Sequence, residues 1–195
     1  MSAEKARGYA KFESRWLRRL VGSPLAAVGM HWAVQSLLYM DVTERRWKLA
    51  LDAIVTVGVS LALSLALPPP LAWPLGFLIA HTLNFLFNGQ VWGVLKHYGL
   101  VRHSQAEFAA YVERFRERVE REPSIRRIVI CGSLSRQQWT PSSDLDARLL
   151  RRPGAANGVR ACWFLLRERT RALCARFPVD IYVLDHDAAL QKIDA

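Results

Sequence analysis

The sequence predicts an α/β domain carried behind a helical transmembrane hairpin. Three observations lead there. Two long apolar stretches, Leu49 to Leu67 and Leu71 to about Leu95, are separated only by Pro68, Pro69 and Pro70. Beyond Ser104, amphipathic helical patterns alternate with short apolar runs of strand length. And the 195 residues combine 51% hydrophobic content with a formal net charge of +10, which requires that the apolar and the charged residues occupy different segments. A cationic chain attracts anionic partners such as nucleotides, nucleic acid or lipid headgroups, and charge does not choose among them.

Residues 1 to 48 read as a basic region. The first twenty are charged throughout and carry no cleavable signal pattern. Residues 24 to 40 form a mostly apolar helix between basic flanks, which argues for an interfacial or re-entrant position rather than a crossing.

Residues 49 to 98 hold the hairpin. Each arm approaches the ~20 residues that cross a ~30 Å hydrocarbon core. Lys5, Arg7, Lys11, Arg15, Arg18, Arg19, Arg45, Arg46 and Lys48 precede it, Lys96 and Arg102 follow it, and the proline turn has no charge. The positive-inside bias then places both ends in the cytoplasm and the turn outside, giving a multi-pass protein of the inner membrane. His81, Asn84 and Asn88 share one helical face, for interhelical hydrogen bonds or for a polar seam that receives a headgroup or another membrane protein. An antiparallel pairing about Pro69 sets Asp52 level with Asn88. Trp16, Trp32, Trp47, Trp73 and Trp92 flank the apolar segments as an interfacial belt would.

From residue 104 to 195 the pattern is helix, strand, short turn-helix, strand, helix, strand. Ser104 and Glu107 have capping-box spacing, and Phe108, Tyr111, Val112, Phe115 and Val119 follow at helical spacing. Ile128 to Cys131 is a short buried strand, "DLDARLL" a second strand and "VDIYVLD" a third. Between the last two, Cys162, Leu166, Leu173 and Phe177 make a helical stripe. The three cysteines, Cys131, Cys162 and Cys174, show no metal spacing and read as small buried hydrophobes.

Chemistry concentrates between Cys131 and Leu150. Gly132-Ser133 closes a strand and opens a turn, where backbone N–H groups and a hydroxyl suit a phosphate, or where Ser133 simply caps a helix. Asp144 and Asp146 lie at i and i+2 on a strand and project to one face. Two such carboxylates repel unless a divalent cation joins them, and Mg²⁺ is bound by carboxylates together with substrate phosphates. Asp180 sits between Val179 and Ile181, where an unpaired charge is costly. With the strands adjacent, three carboxylates converge, a set suited to phosphoryl chemistry. Arg148 shares the Asp146 face, to meet phosphates or to pair with an aspartate. The loop Arg151 to Gly158 is either solvated or anion-binding. Asp185, His186 and Asp187 fit the cap and first turn of a final helix better than a metal cluster.

Taken together these residues resemble the nucleotidyltransferase superfamily that includes DNA polymerase beta and kanamycin nucleotidyltransferase, and most closely its minimal members. The pattern is Gly132-Ser133, then Asp144-Leu145-Asp146, then Val179-Asp180-Ile181, over about residues 125 to 185. The resemblance implies a nucleotidyltransferase domain with a small mixed sheet. It implies that Gly132, Ser133, Arg136 and Arg148 bind the nucleotide, that Asp144, Asp146 and Asp180 hold Mg²⁺ (or Mn²⁺), and that Asp180 also helps deprotonate an acceptor hydroxyl. The glycine that minimal members carry after the arginine is Gln137 here, which leaves the path of the loop to Ser143 open.

The expected activity is a membrane-anchored transfer of a nucleoside monophosphate from an NTP to a membrane lipid or lipid-linked acceptor, with release of pyrophosphate. Alternatives are an NTP-sensing adaptor without turnover that docks on a larger membrane enzyme, and nucleotidylation of a partner protein as antitoxin-like members do. No nucleic-acid partner is expected, because the arginines follow the membrane flanks and helix faces without an aromatic-interleaved strand.

Overall fold

A computed structural model describes residues 24–192 apart from 38, 89–90, 97–98 and 137. The charged N-terminal stretch with Trp16, and Gln137, lie outside the described residues. The element order is α1 (Pro24–Val34), α2 (Val42–Leu63), α3 (Pro69–Asn88), α4 (Val91–Leu95), α5 (Gln105–Glu120), β1 (Ile125–Ile130), α6 (Gly132–Ser135), β2 (Leu145–Arg151), α7 (Ala155–Cys174) and β3 (Val179–Leu184), then a 3₁₀ turn at Asp187–Lys192. The protein is thus mixed α/β.

The sheet is small and mixed, in the order β1-β2-β3. β1 and β2 are antiparallel, joined through the short α6, whereas β2 and β3 are parallel, as the α7 crossover requires. One sheet face alternates Leu145, Ala147, Leu149 on β2 and Val179, Ile181, Val183 on β3, all buried. Those residues pack on Phe108, Tyr111, Phe115 and Val119 of α5 and on Ala161, Phe164, Leu165 and Ala172 of α7. The Ser104–Glu107 capping box is present and fixes the start of α5. The α7 stripe is rotated from the expected one: Cys162 is buried, but Leu166 and Leu173 are half-buried, and Glu168 and Arg169 take inward positions. The helix packs against the sheet and against α2–α3 at once, so a single apolar stripe does not describe it. Of the cysteines only Cys162 is a buried hydrophobe; Cys174 is exposed.

The apolar region differs from expectation in three ways. First, α1 ends at Val34, because Gln35 and Ser36 adopt positive φ and turn the chain. Second, α2 begins at Val42, inside the basic region, with Asp41 accepting from the Val42 N–H. Its apolar part stops at Leu63. Among the described residues only Pro69–Asn88 is long and apolar enough to cross a membrane, and by length and composition alone. The pair of spanning helices, and with it the multi-pass topology, is not supported. Third, the register differs. α2 and α3 do pack as a hairpin, closely enough that a Cβ on Gly76 would come within 2.8 Å of the Ser60 Cα. But Asp52 is level with His81, whose Nδ1 lies 2.8 Å from its Oδ2, and Asn88 is level with Lys48, whose Nζ donates to the Asn88 carbonyl at 3.1 Å. Of this polar face, the His81 side chain bonds across to Asp52, whereas Asn88 bonds Asn84 within its own helix and accepts from Arg169.

The base of the hairpin is built into the α/β domain. β3 is the outer strand, and an uncovered strand edge leaves backbone polar groups without partners. Here side chains cover it. Glu44 accepts from the Val183 N–H at 2.7 Å, and Arg169 donates to the Ile181 carbonyl. Glu44 and Arg169 pair at 2.8 Å, both 1% exposed, and Arg169 also donates to the Asn88 Oδ1 at 2.7 Å. Asp185 caps the other end: it accepts from the Thr43 N–H at 3.0 Å and from the Arg151 Nε at 2.6 Å. Asp187 meets Arg126. Asp185 and Asp187 are therefore structural, each with a cationic partner. Trp47 and Trp92 belong to this joint too: Trp47 packs edge-on against Trp163, and Trp92 Nε1 donates to the Leu173 carbonyl at 2.9 Å.

Candidate active site

The sheet face opposite the core carries the expected residues. Asp146 and Asp180 are direct partners across the parallel β2–β3 ladder, so their Cα atoms are about 4.8 Å apart. Asp144 precedes β2 by one residue. Gly132 closes the site from the β1 side. It has φ +69, and a Cβ there would stand 2.8 Å from the Asp146 Cγ. Only glycine combines that conformation with that approach. Cys131 N–H bonds to the Asp146 carbonyl at 3.0 Å and so fixes the turn to the strand.

Ser133 lies beside this turn, and its hydroxyl donates to Ser143 Oγ at 3.1 Å. Ser143 in turn accepts from the Thr140 N–H at 2.9 Å. These bonds fold the described part of the loop, 138–143, back over α6, and Trp139 packs on the core. Arg136 is exposed at the end of α6. Arg148 turns to an aspartate: it donates to the Asp180 carbonyl at 2.8 Å and to its Oδ2 at 3.3 Å, and its guanidinium lies 4.8 Å above the Tyr182 ring.

Two basic side chains escaped the sequence reading. Lys96, just past α4, forms an ion pair with Asp144 and is 12% exposed. It is the first cation after the apolar stretch, a position that sequence reading takes for a topology signal. His31 on α1 feels the Asp180 carboxylate, which raises its pKa against the larger lowering caused by partial burial.

Asp146 is the strained member of the set. Burial, then the Asp144 and Asp180 carboxylates, push its pKa up to about 6, against the opposing pull of Lys96 and Arg148. Three mutually repelling carboxylates, two on adjacent strands and Asp144 just before one of them, are, in donor chemistry, a divalent-cation set. Yet among the described residues no three His, Cys, Asp or Glu side chains already form a ligand group. The geometry explains why: Asp144 is turned to Lys96 and Asp180 to Arg148.

No family model matches the chain, and no curated protein or solved structure matches it.

Proposed function

We propose that the protein is a Mg²⁺-dependent nucleotidyltransferase working at a membrane surface. It would move a nucleoside monophosphate from an NTP to a membrane lipid or lipid-linked acceptor and release pyrophosphate. The observation that carries this reading is the pairing of Asp146 with Asp180 across parallel strands, with Asp144 two residues before Asp146 and Gly132 against the Asp146 carboxylate.

Asp144, Asp146 and Asp180 would hold Mg²⁺, with Mn²⁺ as a substitute. When bound, the ion neutralises charge on the transferring phosphoryl group. Gly132, without a Cβ, lets the turn lie against the Asp146 carboxylate, and its backbone N–H, with Ser133, Arg136 and Lys96, would supply donors to phosphate oxygens. Asp180, held in place by Arg148, takes the proton of the acceptor hydroxyl. The acceptor oxygen bonds to the α-phosphorus as the bond to the pyrophosphate oxygen breaks.

The test is incubation of the purified protein with Mg²⁺, each labelled NTP and a membrane lipid extract. Label should appear in a lipid product. Asp146→Asn should abolish the transfer, and Asp180→Ala should reduce it by roughly a hundredfold or more while nucleotide binding survives. Transfer that is intact in both variants, or absent with every NTP, overturns the reading.

A further inference from the structure

We infer that the α2–α3 hairpin enters a single leaflet of the bilayer and ends near its midplane, without reaching the far side. The inference rests on the membrane attachment in the proposed function and concerns its depth.

Length is the first argument. Above the Asp52–His81 pair, α2 runs from Ala53 to Leu63 and α3 from Pro69 to Ala80. At ~1.5 Å per residue each arm is about 17 Å long, against a hydrocarbon core of ~30 Å. The remainder of α3 is not free to make up the difference. Asn88 accepts from Arg169 and Lys48, and Lys48 and Arg169 are themselves buried. Drawing His81–Asn88 into lipid would break that joint.

The surface above the pair is the second argument. Ile54 is 70% exposed and Leu65 91%, and Leu61, Leu71, Phe77 and Ile79 also face outward. An exposed apolar surface of this extent marks an interaction site. A second protein would meet one side of the hairpin, whereas these residues face outward on both arms and at the turn, as a hydrocarbon surround requires. The turn itself, 64–68, reads Ser-Leu-Ala-Leu-Pro and offers water nothing charged. In a spanning hairpin that turn would stand in the far headgroups or beyond them.

Below it lies a polar level. His81 bonds Asp52 through Nδ1 and approaches the Trp32 carbonyl through Nε2 at 2.9 Å, while Trp32 Nε1 donates to Thr82 at 3.2 Å. Asp52 Oδ1 is buried with no hydrogen-bond partner among the described residues. Such groups are expensive in hydrocarbon and suit the wet headgroup zone. Trp32 lies on α1, which packs on α4, and Lys96 just past α4 pairs with Asp144 of the candidate site. An interface at the Asp52–His81 level would bring lipid headgroups near that side of the site, the height at which a lipid acceptor would present its hydroxyl or phosphate.

Trp73, close to the turn, is the residue a far interface would claim, so the two geometries differ most at the tip. The full chain is prepared with Cys131→Ser and Cys174→Ser, leaving the buried Cys162. Leu65→Cys, Leu71→Cys and Ile54→Cys are labelled singly with bimane and reconstituted into phosphatidylcholine–phosphatidylglycerol vesicles. Quenching is compared between lipids brominated near the headgroup and near the chain ends. This readout does not depend on which leaflet the protein faces and uses no nucleotide. The expected result is stronger quenching of positions 65 and 71 by deep bromines, severalfold over shallow ones, with the reverse at 54. Preferential shallow quenching at all three positions means a spanning hairpin and overturns the inference. Failure to float with vesicles overturns it together with membrane attachment, whereas loss of nucleotidyl transfer alone leaves the depth result standing. Since all three positions are exposed, an unchanged thermal transition in each variant shows that labelling has not unfolded it.

Discussion

The Asp146 carboxylate lies against Gly132, in the space a Cβ would need. Gly132→Ala must move that carboxylate and must hold a positive φ. The backbone strain alone is about 1–2 kcal/mol, measurable by urea denaturation. The effect on transfer should be larger, because the displaced group is the central carboxylate of the site. A variant destabilised by this amount but fully active would separate the turn from the chemistry.

Asp146 should also make stability depend on pH. Its pKa is raised from the usual carboxylate range to about 6. The protonated form is thus favoured by folding, and the stability it contributes is fully present below about pH 4 and lost as pH rises through 6. Before solvent screening the swing is about 3 kcal/mol, and partial exposure reduces it. In metal-free protein, Asp146→Asn should therefore gain on the parent between pH 5 and pH 7. Added Mg²⁺ should raise the parent's melting temperature at pH 7 and not that of the variant.

Lys96 competes with any cation for Asp144. Lys96→Met should tighten Mg²⁺ binding in nucleotide-free protein by roughly 3- to 10-fold, the scale of a partly exposed ion pair. Because Lys96 also lowers the Asp146 pKa, the midpoint of the pH effect should move upward in the same variant. Titration calorimetry at two pH values reads both. Unchanged affinity would mean that Asp144 does not meet the metal.

The Glu44–Arg169 pair seals the edge of β3. Arg169→Met leaves Glu44 buried without its cation and should destabilise by about 3–5 kcal/mol. Glu44→Gln combined with Arg169→Met should recover part of that loss in a double-mutant cycle. Breaking the exposed Arg116–Glu120 pair, by contrast, should cost under about 0.5 kcal/mol.

Much of the α/β domain was legible because its signals are local. Capping at Ser104 and alternation in "DLDARLL" depend on neighbours in sequence and appear where they were read, whereas the apolar run before Gly132, expected to be buried over Ile128 to Cys131, is a half-buried edge strand over Ile125–Ile130. Arg148 was legible as a cation on the Asp146 face, where it bonds Asp180. Glu44, Lys48 and Arg169 were not legible. Charged residues at helix positions read as solvated, and nothing local tells that Glu44 meets a strand edge 139 residues away or that Arg169 turns inward to the Ile181 carbonyl and to Glu44. The hairpin was misjudged for the same reason. Asp52 and Asn88 were aligned by counting from the prolines, whereas the register is set by the close packing of Gly76 on Ser60 and by Lys48 reaching the end of α3.

The joint at Asp185 has a mechanical consequence. That residue holds the first turn of α2, and its own N–H bonds Asp41 at 2.9 Å. It directly follows β3, the strand that carries Asp180 at its other end. No loop lies between the helix anchor and the carboxylate, only about 17 Å of extended chain locked into a sheet. A lever arm of this kind has no slack: a tilt of the helix pair is passed to the strand, and so to Asp180, instead of being absorbed by a linker.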